Sequence, residues 1–234
     1  MAPYHLSVIS IRREMKVGRD NHPRERQARQ LARKKPKRDT YDRILIVTEG
    51  EKTEVNYFEE IRRRYRLGSA HIRICGSDYG TSPEKVVEYA IDQCLGSCEW
   101  ERVFCVIDRD DHDHYVNALA SLKAANNKGH LNDLGQPIKF ESAPSNPSFE
   151  LWLLLHFEDQ QAHIHRDNVM RKLRTHIPNY EKGDRGMFEL TEPLIDEARA
   201  RAEQQRVNIE HRGMKNPTTY VDELVQVLRS LRSG

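Results

Sequence analysis

At 234 residues, with 37% hydrophobic and 32% charged side chains, the chain can bury one substantial core and carry an extension beside it. No apolar stretch approaches the ~20 residues needed to span a bilayer. Met1-Ala2-Pro3-Tyr4-His5 lacks the basic-then-apolar layout of a secretory signal, so a cytoplasmic protein away from membranes is expected. The net charge of +2 hides a segregation: residues 12–39 hold twelve Lys/Arg against four Asp/Glu, a surplus of eight, which leaves residues 40–234 six charges negative.

That basic arm, residues 1–40, is densest at Arg33, Lys34, Lys35, Lys37 and Arg38. It has too little apolar surface to order itself alone, yet its charge suits a phosphate backbone, and DNA or RNA is the expected partner. An acidic protein would meet the same charges.

The folded part is expected to begin near Tyr41. Ile44-Leu45-Ile46-Val47-Thr48 reads as a strand buried on both faces, over about 43–48. Thr53 then reads as the N-cap of a helix carrying Val55, Phe58, Ile61 and Tyr65, closed by Gly68. A second strand is expected over 71–75. Ser82 and Pro83 read as the N-cap and first position of a helix with Val86, Val87, Ala90 and Ile91 facing inward.

The third strand, 102–107, contains Val103-Phe104-Cys105-Val106-Ile107 and runs into Asp108. A helix over 114–126 is expected to turn Val116, Leu119, Ala120 and Lys123 to one side. A weaker strand over 137–142, interrupted by Pro137, Lys139 and Glu141, belongs at or near a sheet edge. This order predicts an α/β fold: a small, doubly wound, mainly parallel sheet over 41–145. A helical portion, 146–234, packs on it, beginning with Asn146 as cap and Pro147 at the first helical position. Val221, Leu224, Val225, Leu228 and Leu231 mark a last amphipathic helix, which could dock on its own core or in a homodimer. Cys75, Cys94, Cys98 and Cys105 lack zinc-finger spacing and read as free thiols.

Two acidic clusters follow the two most apolar strands: Glu49, with Glu51 and Glu54, and Asp108, Asp110, Asp111 and Asp113. In open α/β sheets ligands bind outside the carboxyl ends of the strands. Acids at a helix N-terminus have an ordinary explanation in the helix dipole. Four carboxylates within Asp108–Asp113 do not, because they repel one another unless cations compensate. Hard cations prefer oxygen ligands, so the pattern suits Mg²⁺ or Mn²⁺ and a phosphodiester reaction. Histidines 112 and 114 are better explained as solvent-facing loop residues than as ligands. Glu150, set within Phe149-Glu150-Leu151-Trp152, reads either as a fourth acid of the site, as a partner of an arginine, or as a solvent-facing helix-start residue. Lys52 reads as a phosphate contact or as an ordinary exposed lysine.

Ile44-Leu45-Ile46-Val47-Thr48-Glu49-Gly50 followed by Val106-Ile107-Asp108-Arg109-Asp110 resembles the Toprim domain. With Glu49-Gly50-Glu51-Lys52-Thr53-Glu54 and Ser145-Asn146-Pro147-Ser148-Phe149-Glu150-Leu151-Trp152, the chain resembles the RloB family over roughly residues 41–232. The resemblance implies metal roles for Glu49, Asp108 and Asp110, with the Glu a candidate for proton transfer. It also implies a nuclease of prokaryotic phage defence encoded beside an ABC-type ATPase. The competing reading is a non-catalytic subunit that binds the ATPase and nucleic acid. Primase-like or topoisomerase-like chemistry is least favoured, since no zinc module or tyrosine-bearing cleavage domain can be assigned.

Overall fold

Ile44–Thr48 forms β1, and all five residues are buried, as a strand covered on both faces requires. The computed structural model describes residues 42–69, 71–109, 112–212 and 215–233. The basic arm with Arg33, Lys34, Lys35, Lys37 and Arg38, and also Asp110, lie outside the described residues.

Chain order after β1 is α1 (Thr53–Arg64), β2 (Ile72–Gly76), α2 (Pro83–Ser97), β3 (Arg102–Asp108), α3 (His112–Lys128) and β4 (Lys139–Asn146). There follow α4 (Glu150–Leu155), α5 (Arg166–His176), α6 (Met187–Thr191), α7 (Ile195–Arg212), β5 (Thr218–Thr219) and α8 (Val221–Ser230), with short 3₁₀ turns after α6 and α8. The five-stranded sheet has the order β2-β1-β3-β4-β5. Its first three pairings are parallel and the last is antiparallel. The expected α/β architecture with a mainly parallel sheet is what the chain forms.

Alternation along the strands builds a core on each face of the sheet. Ile44, Ile46, Phe104 and Val106 pack with Tyr57, Phe58 and Ile61 of α1 and with the apolar faces of α4, α5, α7 and α8. Leu45, Val47, Val103, Cys105 and Ile107 pack with Val86, Val87 and Ala90 of α2 and with Ala118, Leu122 and Ala125 of α3. The helical portion therefore shares a core with β1 and β3. Every residue of α4 is buried between the sheet and the later helices, and Trp152 Nε1–H donates to the Tyr57 hydroxyl at 2.9 Å. The α8 face of Val221, Leu224, Val225 and Leu228 is covered within this same core.

Several local expectations change. Lys52, not Thr53, occupies the α1 N-cap position. Gly68 does not close α1; Arg66 takes the left-handed conformation (φ 55°), and Leu67 N–H returns to Arg62 O. The buried face of α3 is Ala118, Leu122 and Ala125, whereas Val116, Ala120 and Lys123 are exposed. Ala118, Leu122 and Ala125 recur at helical spacing and pack against Val86, Val87 and Ala90 of α2.

β4 runs on through Pro144 to Asn146, so Asn146 ends a strand instead of capping a helix, and Pro147 follows it across a cis peptide. Pro144 is tolerated there because the short β5 leaves most of that edge unpaired. All four cysteines are free. Among the described residues, no helix is long and apolar enough to cross a membrane.

Candidate active site at the ends of β1 and β3

Strand order 2-1-3-4 means that the chain leaves β1 to one side and returns through β3 on the other. The β1/β3 boundary is therefore the switch point at which such sheets place ligands. Glu49 extends the ladder one residue past β1, its N–H donating to Val106 O at 3.0 Å. Its carboxylate turns across the boundary, where Oε2 accepts from the Asp108 N–H at 2.9 Å. Asp108 is the last residue of β3 and only 8% exposed. The two acids expected to act together are thus hydrogen-bonded neighbours, brought there by parallel register over 59 residues of sequence.

Gly50 makes room for a further acid. A Cβ at that position would fall 2.1 Å from Glu54 Oε2, so the Glu54 carboxylate lies directly on the Gly50 backbone. Burial pushes the Glu54 carboxyl above its ordinary value, and the charge of Glu150 adds to this against hydrogen bonds from the backbone of Glu54 and Gly50. As a residue of the first helical turn, Glu54 has a sequence-level explanation that hid this position.

Glu150, at the first position of α4, does not project to solvent. It is 2% exposed, accepts from Ser148 Oγ–H at 2.7 Å, and pairs with Lys182 Nζ at 3.0 Å. Its partner is a lysine and not an arginine. Lys182 arrives from the loop between α5 and α6, which is pinned to α1. Gly183 N–H donates to Thr53 Oγ1, Asn56 Nδ2 donates to Gly183 O, and the Gly186 and Phe188 amides donate to Glu60. Gly183 has φ +90°, and a Cβ there would sit 3.0 Å from Lys52 Cβ.

Burial lowers the affinity of Lys182 for its proton. The charge of Glu150, its hydrogen bond and the charge of Asp108 outweigh that, so its pKa is raised despite the opposing Arg166. Arg166, the first residue of α5, brings Nη2 to 3.4 Å from Asp108 Oδ2. Tyr180, buried beside these acids, has its hydroxyl pushed up by burial and then by the charges of Glu150 and Glu54.

Glu49, Asp108, Glu150, Glu54, Lys182 and Arg166 therefore form one charged assembly around the strand ends. Sequence reasoning placed Glu54 in the acidic cluster but explained it by the helix dipole, and it missed Lys182 and Arg166, which had no signal: each is one of many basic residues in polar segments. Lys52 is exposed, its stem packed against the Gly183 loop. His114 Nδ1 lies 2.7 Å from Glu84 Oε2, which holds that glutamate's pKa down. Among the described residues no set of three or more His, Cys, Asp or Glu side chains is arranged to hold a metal ion.

The family model for RloB-like proteins matches residues 44–228. The chain belongs to the RloB-like family. The match starts with β1 and ends within α8, so Glu49, Asp108, Glu150, Arg166 and Lys182 are part of the RloB-like region and the basic arm is not. No curated protein and no solved structure matches the chain.

Proposed function

We propose that this RloB-like protein is a Mg²⁺- or Mn²⁺-dependent nuclease that hydrolyses phosphodiester bonds in DNA or RNA, serving prokaryotic phage defence beside an ABC-type ATPase. The observation that carries the reading is the contact of Glu49 with the end of β3 beside Asp108, at the switch point of the sheet. Glu49-Gly50 at the end of β1 and Asp108 at the end of β3 also support a Toprim-type description of this fold.

The donor set suits the metal in chemistry. Mg²⁺ needs only one or two protein carboxylates when substrate phosphates and water complete its shell, and Glu49 and Asp108 are two oxygen donors on adjacent strand ends. Asp110 is the third ligand in this proposal. The bound ion would polarise the phosphate and help to generate the attacking hydroxide.

The chain's own residues set the stage for that chemistry. Glu49 orients the end of β3 through the Asp108 amide and is placed to exchange a proton with water. Lys182 and Arg166 offset the acids' mutual repulsion and give a strand's phosphates cationic partners. Lys52 is a candidate phosphate contact at the rim, and the arm with Arg33, Lys34, Lys35, Lys37 and Arg38 would hold nucleic acid by charge alone.

A second reading, a non-catalytic subunit binding the ATPase and nucleic acid, draws on a specific observation: in the described residues the acids are answered by Lys182 and Arg166, not gathered as a metal-holding set. Incubation with DNA and RNA substrates, with and without Mg²⁺ or Mn²⁺, decides between them. Cation-dependent cleavage that disappears in Asp108→Ala supports the enzyme. No cleavage with either cation, even in the presence of the ATPase partner, favours the second reading, and cation-independent or Asp108-independent cleavage contradicts the site proposed for the enzyme.

A further inference from the structure

On the side of Asp108 away from β1, a cavity of about 160 Å³ is lined by Arg109, Tyr115, Ser145, Asn146, Lys215 and Tyr220, among others. It adjoins the site just described: Arg109 follows Asp108 in the chain, its N–H donates to Ser145 O at 2.8 Å, and Ser145 is the register partner of Asp108. The chemistry changes sharply across that short distance. Among the described residues lining the cavity there is no Asp or Glu, although residues 40–234 as a whole are six charges negative.

Arg109 is the centre of the cavity's chemistry. Its guanidinium lies over the Tyr115 ring, 4.9 Å from the centroid, so its position is held by the ring and not by an acid. Its Nε–H is buried and has no hydrogen-bond partner. A buried donor left unanswered is costly in a finished core, and such groups call for an explanation. An incoming acceptor is the direct one. Lys215 stands exposed on the rim, its backbone oxygen tied to Asn146 Nδ2 and Thr218 Oγ1. Tyr220 has one face against the Arg206 guanidinium, at 5.1 Å.

We infer that this pocket holds one nucleotide of the strand next to the scissile bond, its phosphate on Arg109 and Lys215 and its base or sugar against Tyr115 and Tyr220. Ring faces accept any base and guanidinium and ammonium groups accept any phosphate, so the pocket positions the strand without reading its sequence. The inference rests on the nuclease reading only in taking a nucleic-acid strand as the occupant.

The test is calorimetric titration of the full chain, in EDTA, with a four-thymidine DNA and a four-uridine RNA at several salt concentrations. The two probes share the phosphate and stacking chemistry and differ at the sugar, so they also separate the two sources of strand. Wild type is expected to bind at least one of them. Arg109→Ala is expected to weaken that binding about tenfold and to flatten the slope of log affinity against log salt by about 0.7, the share of one single-strand phosphate contact. Lys215→Ala, on an exposed residue, is expected to flatten the slope likewise, and it decides the matter alone should Arg109→Ala fail to fold.

No binding of either probe by wild type, or unchanged affinity and slope in the variants, overturns the pocket. Cleavage is not needed for this readout. Pocket-dependent binding in a chain that cuts nothing would keep this inference and remove the nuclease; metal-dependent cleavage with pocket-independent binding would do the reverse.

Discussion

At the end of the sheet where the strands begin, Arg43 donates to both oxygens of Glu101 at 2.8–3.2 Å and also reaches Asp133. Arg102 and Lys139 close on Glu141 at 2.8 Å. At the opposite end, where the strands finish, Glu49, Glu54, Asp108 and Glu150 crowd together, and their described cationic partners are Arg166 and Lys182, supplied by distant segments. The same side-chain types thus do different work on one sheet. Where acids and bases match one for one, they fasten β1, β3 and β4 at their starts. Where the described acids outnumber the described bases at a switch point, the arrangement gives up stability, and in the proposed function it does so to hold a cation and a cation-bound phosphate.

The proton affinities follow the same division. Burial alone would raise Glu101 and Glu141, yet the hydrogen bonds and charge of Arg43, and of Arg102 with Lys139, hold both below the ordinary 4.5. Glu54 goes the other way, raised by burial and by Glu150.

The largest expected effect is on chemistry at the strand-finish end. Glu49→Ala and Asp108→Ala should each abolish metal-dependent cleavage while keeping a cooperative thermal transition; gel assays of substrate decay with parallel melting curves check this, and full activity in either variant would break the comparison. Next comes Lys182→Ala, which leaves the 2% exposed Glu150 without its cation. Because Lys182 is itself half exposed, a loss of about 2–3 kcal/mol is expected in urea unfolding, below the full cost of breaking a buried pair.

A sharper test is one of sign. Glu101→Gln should cost about 1–2 kcal/mol by weakening charge-assisted bonds to Arg43. Glu54→Gln should add about 0.5–1 kcal/mol at a pH above the folded value of Glu54, by removing a charge that burial disfavours. Equal signs in the two variants would show that the ends of the sheet do not differ in this way.

The smallest effect is the pH dependence. A carboxylate with a depressed folded pKa contributes stability that is present above its unfolded value and lost as pH falls through the folded one. Glu101 and Glu141 should therefore make the fold less stable below about pH 4.5. Arg43→Ala should flatten that acid limb. Glu54, with a raised pKa, favours the fold increasingly as pH falls through its folded value towards the ordinary 4.5, and Glu54→Gln should remove that part of the slope. Unfolding midpoints in urea between pH 3 and 7 report both changes.

The strand-finish site was half legible in the sequence. β1 and β3 announce themselves as short apolar runs, and each ends in an acid, so the pairing of Glu49 with the Asp108 turn follows from parallel register. Glu150 stood out as a lone acid in an apolar helix, but its partner could not be read, since Lys182 is 32 positions away in a polar loop. β4 was read as a weak strand over 137–142 because Pro137, Lys139 and Glu141 interrupt its pattern, and its run through Pro144 to Asn146 was not legible. Pro144 is accommodated where a two-residue β5, too short to show any period, leaves most of the edge open. Arg109 was legible only as the spacer in Asp-x-Asp; its orphaned Nε–H is a property of packing, not of sequence.

The account turns on whether the acids at the ends of β1 and β3 hold a divalent cation, and calorimetric titration of the full chain with Mn²⁺ tests that most directly, needing neither substrate nor partner. The predicted result is saturable binding by wild type that disappears in the Glu49→Ala/Asp108→Ala double variant. Binding that survives in the folded double variant, or none in wild type, would contradict it.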